Sequence, residues 1–389
     1  METAKILMVS TFYPPYHLGG DAIHVKYLAD ELSKAGHEVH VIHSLDAYNL
    51  KKNEKKHEND ADSEHIYRLK TELGAISAAG SYIIGKNRSA DRLVEKVCSE
   101  IKPDWIHYHN ISMLGCGVLN KGKSKKIYTC HDHWPFCQRN DYMKFGERIC
   151  DEQNCLKCSI KSHRPVRIIS TNQIMSEIKR VNAIIAPSKY MQNMLSMFGT
   201  ESVLIKNFVP HPTENVNFEG NSHFIYTGVL EKHKGLEILI NAYLKSKSDA
   251  ELHILGDGSL RENILKMSDK GIKYLGFLPR SKLIPEVASS LCMAAPSICG
   301  ENSPLSCIEA LSVGVPLVVS PNGGLPELAE NCGIISEPND DDFASALIQI
   351  YSNNELRGKM SHNALMKYEK EHSPEAFMKQ YFSVVEAMI

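Results

Sequence analysis

Short runs of Ile, Leu and Val alternate along this chain with segments in which apolar residues recur at helical spacing. Residues 5–10 form the first run, and its nearly continuous hydrophobicity predicts a strand buried on both faces. Residues 22–35 then carry apolar side chains on one helical face, and Gly36 is a natural helix stop. Residues 38–43 predict the next strand. This order of strand, glycine-containing loop, helix and strand is typical of a Rossmann-like domain.

The same alternation begins again after a polar segment, residues 208–222, that contains two prolines. Residues 223–228 predict a strand that opens a second Rossmann-like half, and further predicted strands and helices follow as far as residue 372. We therefore predict an α/β fold of two domains, residues 1–207 and 208–372, which face each other across a cleft. Residues 373–389 predict one more amphipathic helix.

The composition is that of an ordinary globular protein large enough for two domains. The chain has 389 residues, of which 43% are hydrophobic and 23% charged. A formal net charge of -2 argues against a basic surface for nucleic acid. No apolar run reaches the ~18 residues of a membrane span, and the first residues lack the apolar core of a signal peptide. We expect a cytoplasmic protein whose eleven cysteines are buried thiols or metal ligands.

The most informative segment contains two glutamates on either side of a predicted helix start. Glu301 precedes this start, and Glu309 lies more than one turn inside the helix. Asn302 and Ser303 are good N-cap residues, and Pro304 is favoured at the first helical position. The free N–H groups of such a helix start attract an anion, most often a phosphate. The arrangement suits a sugar nucleotide, with one carboxylate for sugar hydroxyls, the helix start for the diphosphate and the other carboxylate for the ribose.

Residues 293–327 resemble the donor-binding signature of the retaining glycosyltransferases of family 4, which have the two-domain GT-B fold. That signature is a Glu, seven residues, a second Glu, a small-Gly-x-Pro segment and a Gly-Gly turn, and here it runs from Glu301 to Gly324. The resemblance covers nearly the whole chain. It implies a hexosyltransferase that moves a sugar from a nucleotide-sugar donor on the C-terminal domain to an acceptor hydroxyl on the N-terminal domain. It also implies that the chemistry needs no cofactor and that the final helix packs back on the N-terminal domain.

The resemblance assigns catalytic roles to His131, Lys234 and Glu301. Lys234 binds the donor diphosphate and stabilises its departure, Glu301 positions hydroxyls of the donor sugar, and Glu309 binds the ribose. His131 follows a predicted strand, so it emerges at the sheet edge that faces the ligand crevice and orients the sugar or the acceptor. Two nearby histidines are rivals for this role: His109 and His133.

The other donor contacts that the resemblance implies come from loops on both domains. They are Gly19, Gly20, Gly228, Gly256, Leu278, Ser303, Pro304 and Leu305. The chain departs from the family pattern at Val229, where the family has an arginine that joins the lysine on the diphosphate. Three residues are candidates to replace that arginine: Lys232, His233 and Arg280.

Four cysteines form a compact insertion, residues 137–158, that the fold does not explain. They follow the spacing C-x12-C-x4-C-x2-C and are Cys137, Cys150, Cys155 and Cys158. Four thiolates that end in a CxxC have the number and compactness of a structural zinc site. An iron–sulfur cluster and four independent thiols are the alternatives. Because four thiolates leave zinc no open position for water, we expect a structural or acceptor-shaping role.

The sequence leaves the donor base, the sugar and the acceptor open. We expect a UDP- or GDP-linked donor and a saccharide or lipid-linked acceptor, in the biosynthesis of a glycan, polysaccharide or glycolipid. Residues 75–92 are small and apolar and residues 121–126 are basic, so peripheral contact with the inner face of the membrane is one alternative to plain packing and solvation. Two other functions stay open: a GT-B sugar-nucleotide epimerase, and a non-catalytic protein that binds nucleotide sugars and senses metal.

Overall fold

The computed structural model describes residues 3–52, 65–213, 222–267 and 270–388. Its strands in chain order are β1 (Lys5–Val9), β2 (Glu38–Ser44), β3 (Ile66–Leu69), β4 (Trp105–Tyr108), β5 (Lys125–Thr129), β6 (Met143–Lys144), β7 (Arg148–Ile149), β8 (Ala183–Ala186), β9 (Val203–Leu204), β10 (His223–Thr227), β11 (Glu251–Leu255), β12 (Ile272–Gly276), β13 (Ser290–Ala295), β14 (Leu317–Val319) and β15 (Gly333–Ile335).

The α-helices are α1 (Gly20–Lys34), α2 (Leu45–Lys52), α3 (Ala75–Ile84), α4 (Arg88–Ile101), α5 (Cys155–Lys161), α6 (Thr171–Ile178), α7 (Lys189–Met197), α8 (Leu236–Ser246), α9 (Arg261–Leu265), α10 (Arg280–Ala288), α11 (Leu305–Ser312), α12 (Leu325–Ala329), α13 (Asp340–Ser352), α14 (Asn354–Lys367) and α15 (Pro374–Met388). Two short 3-10 helices, Cys116–Asn120 and Lys232–Lys234, and one π-helical turn, Tyr368–His372, complete the described helical segments.

The N-terminal sheet contains seven strands in the order β3-β2-β1-β4-β5-β8-β9, and every neighbouring pair is parallel. In the central register, Leu7 of β1 lies beside His40 of β2 and Ile106 of β4. Crossover helices cover the sheet, so four of the five residues of β1 are buried. The hairpin of β6 and β7 is antiparallel and, together with α5, is inserted between β5 and β8.

The C-terminal sheet repeats the same winding with six parallel strands in the order β12-β11-β10-β13-β14-β15. The strand order reverses between β10 and β13, and ligands of doubly wound sheets bind at the carboxyl edge of such a reversal. The loops that follow these two strands contain Lys234 and Glu301. The predicted α/β fold of two Rossmann-like halves is therefore confirmed, and the fold brings the two predicted donor residues to one edge.

The last helix, α15, leaves the C-terminal half and packs on the N-terminal core. Phe377, Tyr381 and Val385 lie four residues apart, face the same way, and are buried against β1 and β4. Trp105 of β4 donates a hydrogen bond from its indole N–H to the Tyr381 hydroxyl at 3.0 Å. His107 Nδ1 lies 3.2 Å from the same oxygen. A polar network inside an apolar contact therefore fixes the register of the helix.

Within the described ranges, no helix is long enough and apolar enough to cross a lipid bilayer.

We predict that Tyr381→Phe lowers the free energy of unfolding by roughly 1–3 kcal/mol, because the buried indole N–H of Trp105 loses its acceptor while the packing is retained. Urea unfolding followed by circular dichroism measures the change. Tyr351→Phe removes a hydroxyl from a partly exposed tyrosine on α13 and serves as the control. Equal midpoints for the two variants would contradict the role of the Tyr381 network.

Candidate active site

The two domains meet where the carboxyl ends of their central strands face each other. Asn302, in the loop after β13, donates from its side-chain amide to the carbonyl oxygens of Cys130 and His131, each at 3.0 Å. Ser188 donates to the amide oxygen of Asn302 at 2.6 Å. The carboxylate of Glu327 accepts the first two N–H groups of α7, at 2.9 and 2.8 Å. These contacts hold the loop after β5 against the loop after β13.

Lys234 and Glu301 form a partly buried ion pair at this junction, with side chains 25% and 15% exposed. Lys234 Nζ lies 2.6 Å from Glu301 Oε1, which also accepts a hydrogen bond from Ser297 at 2.7 Å. Burial acts to lower the pKa of Lys234, but the charge and hydrogen bond of Glu301, together with the charges of Cys299 and Tyr226, outweigh burial and the pKa is raised. Burial acts to raise the pKa of Glu301, but the charge and the hydrogen bond of Lys234 outweigh it and the pKa is lowered. Both groups are therefore ionised at neutral pH.

Glu309 lies inside α11 and is buried beneath a residue from each domain. Burial raises its pKa to about 7, while the charge of Arg280 and a hydrogen bond from Tyr27 of α1 oppose the rise. Arg280 also donates to the carbonyl oxygen of Pro210 at 2.8 Å. Arg280 therefore lies on the Glu309 side of the site, and its contacts give no support to the expectation that it replaces the missing arginine beside Lys234.

The start of α11 differs from the predicted capping. The helix begins at Leu305, and Pro304 is the N-cap residue rather than the first helical residue. Asn302 does not cap the helix because its side chain bridges the two domains. The hydroxyl of Ser303 is buried and has no hydrogen-bond partner among the described residues. No side chain therefore caps α11, and its first N–H groups remain available to an anionic ligand.

His131 lies two residues beyond β5 and is only partly buried. Its Nε2 lies 3.0 Å from Nδ1 of His109, which is fully buried behind it. Burial lowers the pKa of His131 to about 3, so the ring is neutral and His109 selects its tautomer. His133, the other rival, lies 2.8 Å from the Tyr190 hydroxyl through Nε2. His131 and His133 therefore both lie at the domain junction, since the His131 carbonyl accepts from Asn302 and the charges of Glu301 and Lys234 act on His133. His109 lies behind His131.

A pair of carboxylates beside His131 was missed by the sequence analysis. The amide of Asn110 donates to Asp21 at 2.9 Å and to Asp132 at 3.3 Å. Burial raises the pKa of Asp132 to about 7, and it also raises the pKa of Asp21. Such neighbours accept hydrogen bonds from sugar hydroxyls. The available signal was sequence position, because Asp132 directly follows His131 and Asp21 directly follows the Gly-Gly loop.

The predicted glycine contacts lie on both sides of the junction. Gly19 has φ +81° and stands just before α1, a conformation that L side chains rarely adopt. A Cβ built on Gly20 would lie 3.6 Å from the Leu305 side chain, so the Gly-Gly loop faces the start of α11. In the C-terminal domain, a Cβ on Gly256 would overlap the carbonyl oxygen of Gly228, so these two loops pack backbone to backbone. Leu278 is partly buried and packs against the hydrophobic cluster that contains Leu305 of α11.

The side chain at the departure from the family pattern, Val229, is 42% exposed. His233 is the candidate replacement nearest to the ion pair, since burial and the charge of Lys234 lower its pKa while Glu301 raises it. The carbonyl oxygen of His233 also accepts an N–H group from the loop that leads to Glu301. Lys232 is exposed. The site therefore has one partly buried lysine and a neutral histidine where the family has two cations.

The four insertion cysteines lie on the walls of one cavity between the hairpin and α5. None of them forms a disulfide.

Two family models match consecutive parts of the chain. The model described as Glycosyltransferase Family 4 matches residues 18–211, and the model described as Glycosyl transferases group 1 matches residues 211–366. Together they cover the two Rossmann-like domains, and their boundary falls in the segment between β9 and β10.

Relatives and solved structures agree with this match. The chain is 25% identical to an uncharacterized glycosyltransferase, MJ1607, of Methanocaldococcus jannaschii, over 98% of this chain and 97% of that one. It is 31% identical to the O-antigen chain mannosyltransferase B of Escherichia coli, over 32% of this chain and 35% of that one. The structure of Anabaena Alr3699/HepE in complex with UDP superposes with a TM-score of 0.69, at 15% identity, over 99% of this chain and all of the other. The chain thus belongs to the family 4 glycosyltransferases and has the GT-B fold.

Proposed function

We propose that this glycosyltransferase takes its sugar from a nucleotide-sugar donor and transfers it with retention of configuration. The observation that carries the proposal is the partly buried Lys234–Glu301 ion pair beside the uncapped start of α11. A sugar diphosphate presents both a departing anion and hydroxyls that must be positioned. The site offers a cation and a helix start for the anion and a carboxylate for the hydroxyls.

On the donor side, the diphosphate lies between Lys234 and the first N–H groups of α11. Negative charge grows on it as its bond to the sugar breaks, and both groups stabilise that charge. Glu301 binds hydroxyls of the donor sugar and stabilises positive charge that develops near the anomeric carbon. Glu309 binds the ribose hydroxyls. This chemistry needs no metal, and the remaining donor contacts come from the Gly-Gly loop and from the loops after β10, β11 and β12.

On the acceptor side, His131 orients the sugar or the acceptor from across the junction. Its neutral ring can donate or accept a hydrogen bond without adding a charge. Asp132 and Asp21 lie beside it and can hold hydroxyls of a saccharide acceptor. The contacts of Asn302 join the two domains, and a cleft closed around the bound donor would exclude water and limit its hydrolysis.

The names of the relatives support a saccharide product. They leave both UDP and GDP as the nucleotide of the donor. The solved HepE structures contain UDP, UDP and glucose, or UDP-glucose, which favours a UDP-linked donor. The relative from Escherichia coli is named as a mannosyltransferase of the O-antigen chain, which supports a role in glycan assembly. A GDP-linked donor is the alternative, and the acceptor is a saccharide, free or lipid-linked.

An exposed apolar patch supports peripheral contact with a lipid surface. Leu73, Ile76 and Ile84, at α3 and its approach, are each more than half exposed, as is Ile168. The N–H group of Ile168 bonds to the carbonyl oxygen of Ile83, so the two segments are adjacent. We place the enzyme at the inner face of the membrane, in the cytoplasm, where its cysteines stay reduced.

Two other functions have weaker support. A GT-B epimerase would consume its nucleotide sugar without an acceptor and release an epimer. A non-catalytic sensor would bind nucleotide sugar and metal only, and Val229 in place of the family arginine is the one observation that favours it. The ionised Lys234–Glu301 pair weighs against a sensor because a purely binding site has no need to stabilise a departing diphosphate.

We predict that one nucleotide and its sugar conjugates raise the melting temperature of the protein, because a ligand that binds only the native state adds stability. A thermal-shift screen of UDP, GDP and their sugar conjugates measures the effect. ATP is the control for unspecific phosphate binding. No shift with any conjugate would contradict the proposed donor site, and release of an epimer without acceptor would favour the epimerase.

We predict that Lys234→Ala and Glu301→Ala each lower kcat by about 10²–10³-fold, because each removes a group that acts on charge in the transition state. Lys266→Ala is the control, since it removes an exposed lysine of the same domain that is not a candidate donor contact. Nucleotide release measured with the donor from the screen gives the rates, and circular dichroism confirms that the variants fold. Rates near wild type would refute the assignment.

We predict that nucleotide affinity falls as the pH drops from about 8 to about 6, because Glu309 gains a proton near pH 7 and a neutral carboxyl accepts weaker hydrogen bonds from the ribose. Glu309→Gln should bind more weakly at the higher pH and lose this component of the pH dependence. Titration calorimetry at both pH values measures it. The diphosphate titrates equally in both proteins, so the same pH dependence in the two would exclude Glu309 as the ribose ligand.

A further inference from the structure

The cysteine-rich insertion brings its four thiols together from three separate elements. Cys137 follows the loop after β5, and Cys150 follows β7. Cys155 and Cys158 lie on the first turn of α5, whose N-cap is Asn154. All four line one cavity. The fold thus places the four sulfur atoms around one cavity.

Two of the sulfur atoms already accept backbone hydrogen bonds. The N–H group of Arg139 lies 3.3 Å from Cys137 Sγ, and that of Phe145 lies 3.2 Å from Cys158 Sγ. Donors aimed at sulfur stabilise a thiolate, which is the form that binds metals. These contacts come from the turns next to the cysteines, so the backbone of the insertion is shaped around the sulfurs.

The hairpin backbone is strained and has little apolar packing to compensate for it. Asn140, Tyr142 and Phe145 have φ values of 68°, 52° and 59°, in the left-handed region that side chains other than Gly rarely adopt. Each such residue costs on the order of 1 kcal/mol unless the surroundings impose it. The hairpin strands have only two residues each, and Met143 is their one fully buried residue. A bound ion would supply the missing constraint.

The sulfurs are not yet at metal-binding separation. Among the described residues, the groups of three whose ligand atoms lie within 4.8 Å of one another are two His/Glu clusters and include no cysteine. Salt bridges from Lys144 and Arg148 to Asp151, at 2.8 and 3.0 Å, tie the hairpin to the segment before α5. Lys161 of α5 lies 3.9 Å from Glu147 of the hairpin.

We propose that Cys137, Cys150, Cys155 and Cys158 bind one zinc ion, and that this ion holds Asp141 and Tyr142 at the acceptor side of the active site. The first half of the proposal stands by itself, while the second rests on the proposed transferase function. Four thiolates form a closed tetrahedral zinc site, so the ion takes no part in the transfer. Its role is to fix the hairpin.

The hairpin reaches the active site through a short series of contacts. The Tyr142 ring stacks on His133, with 5.6 Å between ring centroids, and His133 bonds to the Tyr190 hydroxyl at 2.8 Å. That hydroxyl lies against Gly300, the residue before Glu301. The position of Tyr142 therefore determines how the N-terminal domain meets the loop that contains Glu301.

Asp141 adds a charge at the same place. Arg139 binds both of its carboxylate oxygens, at 3.2 and 2.8 Å, and both side chains are nearly buried. The charge of Asp141 acts on His133, His233 and Cys299, which also feel the charge of Glu301. An aromatic ring and a carboxylate on a fixed support suit a saccharide acceptor, the first for the apolar face of a sugar ring and the second for its hydroxyls.

Metal content tests the ion directly. We expect the purified chain to contain one zinc per protein by mass spectrometry, and Co²⁺ exchanged into the site to show the visible absorption of a tetrahedral thiolate complex. Cys155→Ser and Cys158→Ser should lose the metal and the absorption, while Cys98→Ser, at a buried thiol outside the insertion, should keep both. Iron with labile sulfide, or equal zinc in all variants, would overturn the zinc site.

Two further variants test the role of the hairpin. Tyr142→Ala and Asp141→Asn should keep their zinc and the thermal shift with the donor nucleotide. Their kcat/KM for the acceptor should fall about 100-fold, because the acceptor is no longer held in position. Unchanged acceptor kinetics, or an equal loss of nucleotide binding, would refute the acceptor role. If the wild-type chain binds zinc but no nucleotide, the transferase function fails and the zinc site stands.

Discussion

One side-chain amide, that of Asn302, joins the two domains at the candidate active site. Its nitrogen donates to two consecutive carbonyl groups at the end of β5, and its oxygen accepts from Ser188. The residue before it is Glu301, and one of the two carbonyl groups belongs to His131. A buried amide that lost these partners would leave unsatisfied polar groups, so the bridge favours one relative placement of the two domains. Donor and acceptor groups therefore face each other because a single side chain satisfies both domains.

The Lys234–Glu301 pair keeps one positive and one negative charge ionised at the candidate site. Two ionised groups that are largely removed from water are costly unless each finds a partner, and here the attraction between them is the main effect that opposes their desolvation. In the proposed donor complex, a diphosphate beside Lys234 would replace part of this pairing and leave Glu301 to bind sugar hydroxyls. One lysine and an uncapped helix start would then supply the stabilisation for which the family pattern has two cations.

Much of the fold was predictable because parallel strands and crossover helices have strong periodic signals. The two sheets and the edge that contains Lys234 and Glu301 follow from residue patterns alone. The predicted capping of α11 was wrong in detail. Asn302 has the residue type of an N-cap, but its side chain donates to the carbonyl groups of Cys130 and His131, 172 and 171 residues away along the chain. The positions of Asp21 and Asp132 next to the Gly-Gly loop and His131 were a local signal for each residue. Their pairing through Asn110 was not predictable, because no local pattern reveals a contact between loops distant in sequence.

The same limit explains why the insertion cannot be interpreted from its cysteine spacing alone. Spacing predicts ligands for an ion, but only the structure shows that the strained turn between Cys137 and Cys150 carries Tyr142 to His133 and Asp141 towards Glu301. A hairpin of this size has too small a core to hold such a turn by apolar burial. Under the proposal above, ligation of one zinc ion would supply a rigid constraint from only four residues and so hold Tyr142 and Asp141 in place.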